Sequence, residues 1–230
     1  MRLVMFHPAD HPLERGWVGR VDGDHVTQLA AQTLQSFFTG GGAAREHAAY
    51  RLSDVQLLAP VLHAPSVRLY TDQDTFEFAN PAAICSPNAL VKAPSYKLSL
   101  GLFPRLAGIL GAEGKVAGFT LLGEWRRPGI PPPKDRDFAL GLGPTVVTPD
   151  ELDPDGVEAV VRVDGDERLR ARFEGFDWEA ARELAAAGTR LYPGDVLAGP
   201  SLAAVDVDPG SAVEIDAAGI GALMQSVSPD

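Results

Sequence analysis

The chain has 230 residues, of which 45% are hydrophobic and 22% charged, with a formal net charge of −11 and a pI near 4.8. This composition excludes a disordered chain, and the length predicts one compact domain with a small additional one. The negative charge would repel a phosphate backbone, so we expect no nucleic-acid partner. No apolar run reaches the length of a signal-peptide core or a membrane span, which predicts a soluble cytoplasmic protein without a membrane partner.

Residues 1–58 read as a small N-terminal α+β domain. Two β-rich runs are predicted at 1–6 and 16–29, and Asp22-Gly23-Asp24 within the second is typical of a tight hairpin turn. After a run of three glycines, the alanine-rich segment 43–52 is predicted to be helical. Prolines near residue 60 then mark the passage into a second unit.

Residues 59–230 alternate short apolar runs with Gly and Pro, which predicts many strands in a closed or rolled, mostly-β core. Asp164-Gly165 separates two alternating runs and predicts a hairpin. One helix is predicted over 177–188, with Asp177 as its N-cap. The only cysteine, Cys85, has no histidine beside it in sequence and is interpreted as an inert thiol.

Five segments together resemble the fumarylacetoacetate hydrolase superfamily, and they occur in that family's order. They are FEFANPAAI (76–84), AGFTLLGEW (117–125), KDRDFALGLGPTVVTPDEL (134–152), LYPGDVL (191–197) and DVDPGSAVEIDAAGIGAL (206–223). The N-terminal runs also resemble the family's small first domain, so the resemblance covers nearly the whole chain. It implies a β-roll core that bears the site, a small N-terminal domain, and a homodimer.

The resemblance also implies a divalent cation, Mg²⁺, Mn²⁺ or Ca²⁺, that polarises an enolisable oxo acid. Such a cation prefers carboxylate oxygens, and the family supplies two of them at i and i+2 of one strand and a third from another strand. Matching the family's pattern places the first two positions at Lys97 and Ser99. The third falls on Glu124, the one position of the three that is acidic.

The family's other functional positions also differ in this chain. Its catalytic lysine falls on Arg136, although a register shift would place the role on Lys134. Arg136 either binds a substrate carboxylate bidentately or pairs with a neighbouring aspartate. The substrate loop falls on 197–201 and makes Ser201 a candidate substrate-binding residue, beside Lys97, Ser99 and Arg136. The segment between Arg68 and Phe76 contains no histidine for the family's mobile lid.

The leading hypothesis is a member with a degenerate metal site: a pseudoenzyme that binds a small carboxylate, an assembly partner, or both. We expect no cofactor, with Lys97 pairing with Glu124 where the family holds its metal. The alternative is an Mg²⁺- or Mn²⁺-dependent hydrolase, isomerase or decarboxylase of small oxo acids, of the acylpyruvate or 2-oxo-diacid type. A third hypothesis is a metal-free enzyme that uses Lys97 or Lys134.

Overall fold

The computed structural model describes residues 1–92 and 99–229, which form eighteen strands and two α-helices. The strands are β1 (Arg2–Pro8), β2 (Trp17–Asp22), β3 (His25–Leu29), β4 (Glu46–Arg51), β5 (Val55–Leu58), β6 (Val67–Tyr70), β7 (Phe76–Ala79), β8 (Ile84–Cys85), β9 (Leu90–Val91), β10 (Leu100–Leu110), β11 (Val116–Arg126), β12 (Leu140–Val147), β13 (Val157–Val163), β14 (Asp166–Phe173), β15 (Val196–Ala198), β16 (Val205–Val207), β17 (Ala212–Ala217) and β18 (Gly221–Val227). The helices are α1 (Leu34–Thr39) and α2 (Trp178–Ala186).

The described strands form two sheets. The larger has thirteen strands, ten of them in the order β4-β3-β2-β1-β12-β11-β10-β15-β6-β7, with β5, β8 and β16 attached to β1, β12 and β10. The smaller has five strands in the order β14-β13-β17-β18-β9. The predicted mostly-β fold class is confirmed. Neither α-helix in the described part of the chain is long and apolar enough to span a membrane.

The proposed boundary at residue 58 falls within one continuous sheet. Strand β1 pairs with β2 and β5 of the N-terminal segment, and it also pairs with β12, where Arg2 lies opposite Val147. The large sheet therefore runs across residues 58 and 59. The division into 1–58 and 59–230 stays a prediction.

Local signals at turns and caps predicted the observed elements. Asp164 and Gly165 join β13 to β14, and both have positive φ (53° and 87°), as a type I′ turn requires. Gly23 and Asp24 join β2 to β3, and of these two only Gly23 has a positive φ, at 58°. Helix α2 begins after Asp177, whose Oδ1 accepts from the backbone N–H groups of residues 179 and 180, each at 3.0 Å.

The helix predicted over 43–52 is wrong, because that segment contains β4. Its backbone pairs with β3, where Tyr50 lies opposite Val26. The Tyr50 ring packs 5.7 Å from Phe6 and 5.9 Å from Trp17, measured between ring centroids. Tertiary pairing and aromatic packing outweigh the helix propensity of the alanines, which amounts to only a few tenths of a kcal/mol per residue.

Strands β10 and β11 form a wall between the two main hydrophobic cores. Because strand side chains alternate, one face of this pair presents Ala107, Ile109 and Leu122 to the core of the large sheet. The other face presents Leu102, Leu106, Leu121 and Trp125 to the core shared with the small sheet. The strands are antiparallel, with Phe103 opposite Glu124. This register fixes which charged side chains meet.

Candidate functional site

A buried ion pair lies on the first face of the β10–β11 wall. Arg105 Nε donates to Glu124 Oε2 at 2.8 Å, and the two side chains are only 2% and 0% exposed. The register explains the contact, since Glu124 lies opposite Phe103 and diagonally across from Arg105. Each of these buried charges compensates the other, because a buried charge without a partner is strongly destabilising.

A second arginine engages the other oxygen of the same carboxylate. Arg126 Nε donates to Glu124 Oε1 at 2.5 Å, and the Arg126 side chain is 24% exposed. Its guanidinium also lies over the Phe103 ring, 4.3 Å from the centroid, which adds a cation–π attraction. Both oxygens of Glu124 are thus occupied by guanidinium groups.

The Arg105 guanidinium is tied to two further segments of the fold. Its Nη1 donates to the carbonyl oxygen of Tyr70 at 2.7 Å and to that of Gly199 at 2.8 Å. Burial lowers the pKa of Arg105 from its usual value, and the attraction of Glu124 opposes that change. Tyr70 donates its hydroxyl to the carbonyl oxygen of Ala181 on α2, and burial raises the pKa of Tyr70 to about 12. Arg105 therefore links β10, β6 and the loop after β15.

A separate ionic cluster contains the two predicted catalytic candidates. Arg136 contacts both carboxylate oxygens of Asp135 at 2.9–3.1 Å and also bonds Glu77. The hydrogen bond to Asp135, with the nearby charges, raises the pKa of Arg136. Lys134, which is 75% exposed, bonds Asp137 at 2.5 Å. The structure shows Arg136 paired with the neighbouring Asp135. Binding of a substrate carboxylate by Arg136 stays a prediction.

Among the remaining predicted site residues that the structure describes, Ser99 and Ser201 have surroundings other than Glu124. Lys97 lies outside the described residues. Ser99 donates to Asp208 Oδ1 at 2.6 Å. Ser201 lines a separate cavity of about 160 Å³, together with Leu106, Phe173, Phe176, Trp178 and Pro200. The positions on β10 that face Glu124 at i and i+2 are Phe103 and Arg105, neither of which is acidic.

The Gly-Asp motif of the 191–197 segment has a structural role. Asp195, 1% exposed, accepts from the Ser66 hydroxyl at 2.6 Å and from the Tyr192 backbone N–H at 2.7 Å. Arg68 Nη1 lies 3.9 Å from Asp195 Oδ2, the oxygen that Ser66 does not use, and donates to the Ser66 hydroxyl oxygen. This network fixes β15 beside β6, with which it pairs in parallel. It holds in place the loop that begins at Gly199.

Sequence reasoning missed Arg105 and Arg126 as partners of Glu124. The available signal was a charge inside an apolar strand: Arg105 interrupts an otherwise apolar 100–110 run, and Glu124 interrupts 116–126. Buried charges are paired, so each implied a partner. Cys85 has the predicted environment of an unreactive thiol, because burial raises its pKa and Gln225 Nε2 donates to its sulfur at 3.3 Å.

Comparison with known proteins identifies the family of this chain. A family model described as fumarylacetoacetate (FAA) hydrolase C-terminal matches residues 112–228, just over half of the chain. The chain belongs to the fumarylacetoacetate hydrolase family. No curated protein matches it.

Solved structures of this family superpose over almost the full length of the chain. A fumarylacetoacetate hydrolase from Exiguobacterium antarcticum has 21% identity and a TM-score of 0.83, with 100% of each chain covered. A maleylpyruvate hydrolase from Sphingobium sp. SYK-6, in complex with manganese(II) ion and pyruvate, has 21% identity and a TM-score of 0.82, with 99% of each chain covered. A 5-carboxymethyl-2-hydroxymuconate delta-isomerase from Mycobacterium smegmatis has 25% identity and a TM-score of 0.79, again with 99% of each covered.

The manganese in one of these relatives raises the question of whether the residues here fit such an ion. In residues 1–92 and 99–229, no group of three or more His, Cys, Asp or Glu side chains is placed to hold a metal. The acid at the site, Glu124, already accepts from Arg105 and Arg126. A divalent cation needs several oxygen ligands, so the described residues do not fit it.

Proposed function

We propose that this family member works without a divalent cation at Glu124, as a pseudoenzyme that binds a small carboxylate. The observation that supports the proposal is the engagement of both Glu124 oxygens by Arg105 and Arg126. One carboxylate and two guanidinium groups carry a net charge of +1, before any metal arrives. A dication would have to displace a buried ion pair and approach two positive charges, which Coulomb repulsion opposes.

The absence of a cation would remove the group that stabilises an enolate in metal-dependent chemistry. Arginine keeps positive charge at the site and donates to carboxylate oxygens in a planar geometry. It offers no coordination position for water or for a substrate oxygen. The proposal therefore retains recognition of an acid and gives up the hydrolysis or isomerisation for which the relatives are named.

Metal analysis combined with thermal unfolding tests this proposal. Protein purified without chelator is analysed for bound metals and melted with and without millimolar Mn²⁺ or Mg²⁺. A ligand present at 100 times its dissociation constant stabilises a fold by about 2.7 kcal/mol. We expect no bound metal and no comparable gain for either ion.

The variant Glu124→Gln is the control, because it keeps the shape of the side chain and removes the anionic oxygen. If Mn²⁺ raises the melting temperature of the wild type and not of this variant, a cation binds at Glu124 and the proposal is wrong. In that case the alternative, a metal-dependent hydrolase, isomerase or decarboxylase of small oxo acids, takes its place. Acylpyruvates and oxaloacetate, assayed with and without Mn²⁺, then measure the activity directly.

A further inference from the structure

Arg126 has donors that nothing in the described part of the chain uses. Its Nε bonds Glu124, and neither of its two terminal nitrogens has a hydrogen-bond partner among residues 1–92 and 99–229. The side chain is 24% exposed, so these nitrogens are within reach of a solute. A guanidinium presents its donors in a fixed planar fork, which matches the two oxygens of a carboxylate.

Two contacts hold this fork in one orientation. The carboxylate of Glu124 fixes Nε at 2.5 Å, and the Phe103 ring supports the guanidinium plane from 4.3 Å. The supports are rigid, because Glu124 is fully buried and Phe103 lies directly opposite it in the sheet. An arginine oriented in advance loses little side-chain freedom when it binds a ligand.

The neighbouring arginines differ from Arg126 in what they offer. Arg136 uses all three nitrogens on Asp135 and Glu77, so it has no fork to present. Arg105 is 2% exposed and lies behind Glu124, where it adds positive charge. The Arg105–Glu124–Arg126 group carries a net +1, whereas Arg136 with its two acids carries a net −1. An anion is therefore attracted to Arg126 and not to the cluster around Arg136.

We propose that Arg126 is the anchor for a small monocarboxylate, whose two oxygens take the terminal nitrogens of this guanidinium. The inference rests on the proposed function, since a cation at Glu124 would displace Arg126 from its support. A second carboxylate on the ligand would find no free donor on Arg136, because Asp135 and Glu77 already engage its three nitrogens and give that cluster a net negative charge. The site thus selects a ligand with one carboxylate over a diacid.

Calorimetric titration with pyruvate tests the anchor in the full-length protein, and malonate serves as the diacid probe. Arg126→Gln removes the fork, and Arg127→Gln is the matched control, since it makes the same change in net charge at the next residue. We expect pyruvate to bind the wild type in the millimolar range and more tightly than malonate. Arg126→Gln should weaken pyruvate binding about tenfold or more, and Arg127→Gln by less than about twofold.

Arg126→Lys separates geometry from charge, because it keeps the cation and loses the fork; we expect an affinity between those of the wild type and Arg126→Gln. Circular dichroism and melting temperature show whether each variant is folded. No pyruvate binding by the wild type, equal weakening in Arg127→Gln, or tighter binding of malonate would each overturn the anchor. The metal measurements report separately whether a cation binds at Glu124, so failure of the Arg126 anchor is distinguished from failure of the proposal that the protein works without a cation.

Discussion

Arg105 and Glu124 place two full charges almost completely out of water, and that position determines what a single substitution does. Replacing Arg105 breaks the buried pair and leaves Glu124 with only the partly exposed Arg126 as a partner. Breaking a buried pair typically costs about 3–5 kcal/mol. We expect Arg105→Met to lower the free energy of unfolding by that amount. The double variant Arg105→Met/Glu124→Leu should recover a large part of the loss, because it removes both fully buried charges and leaves only the partly exposed Arg126. Urea unfolding measures both.

A half-exposed ion pair provides the control for that experiment. Arg162 Nη1 lies 2.7 Å from Glu214 Oε1, but the side chains are 31% and 33% exposed. Partly solvated pairs contribute about 0–1 kcal/mol, so Arg162→Met should change stability little. If Arg105→Met and Arg162→Met lower the free energy of unfolding equally, burial does not raise the cost of breaking the ion pair on the wall.

At the residue scale, the resemblance singled out Glu124 as a candidate site residue, and the partners that the structure gives it were not predicted. Glu124 was identified from the resemblance, and the pairing of Arg136 with Asp135 was one of two interpretations. Lys97 as the partner of Glu124 stays a prediction, since Lys97 is outside the described residues. Arg105 and Arg126 were missed because their contact depends on the register of β10 against β11, which a single sequence does not specify.

At the scale of elements, that register identifies the positions at which a metal site would be completed. Phe103 and Arg105 are at i and i+2 of β10 and face Glu124 of β11. With glutamate at both positions, three carboxylates and Arg126 sum to −2, and a dication would bring the group to neutrality. We expect Phe103→Glu/Arg105→Glu to be destabilised without metal and to gain melting temperature with millimolar Mn²⁺.

The variant Phe103→Gln/Arg105→Gln controls for the substitution of two side chains in the wall. The two glutamines have nearly the size and shape of the two glutamates but no charge, so Mn²⁺ should not raise the melting temperature of this variant. A Mn²⁺ response that is equal in the two double variants would mean that the ion binds elsewhere. No response in the glutamate variant, although it is folded, would mean that 103 and 105 do not converge with Glu124.

Elements with local signals were predicted well, and those fixed by distant partners were not. The Asp164-Gly165 hairpin and α2 depend on residues within a few positions of each other, namely a turn with two positive φ angles and an N-cap. Strand β4 depends on pairing with β3 and on the ring of Tyr50, which packs against Phe6 and Trp17. Its alanines gave the opposite local signal.

At the scale of the whole molecule, the predicted homodimer has a candidate interface on the small sheet. Leu90 and Met224 are 51% and 56% exposed, and they project to the same side of the neighbouring strands β9 and β18. Strand β9 is also an edge of that sheet. Exposed apolar side chains beside an open edge are typical of surfaces that are covered by a partner.

Light scattering tests this prediction at a protein concentration on the order of tens of micromolar, which suits weak interfaces. We expect a dimer for the wild type and a shift toward monomer for Met224→Glu. Phe78→Glu is the matched control, because Phe78 is 67% exposed on β7, at an edge of the other sheet. A monomeric wild type contradicts the dimer, and a monomeric Phe78→Glu with a dimeric Met224→Glu moves the interface to β7.

The parallel pairing of β9 with β18 also has a consequence for how the protein is made. Val91 of β9 is buried and pairs with Val227 of β18. Strand β9 therefore leaves the ribosome long before β18 has been synthesised. At about 5–20 residues per second, that interval is on the order of ten seconds. Strand β1 also lacks β12 during this time, but β2 and β5 already pair with it. The nascent chain must therefore keep the apolar strand β9 from associating with other chains until translation supplies β18.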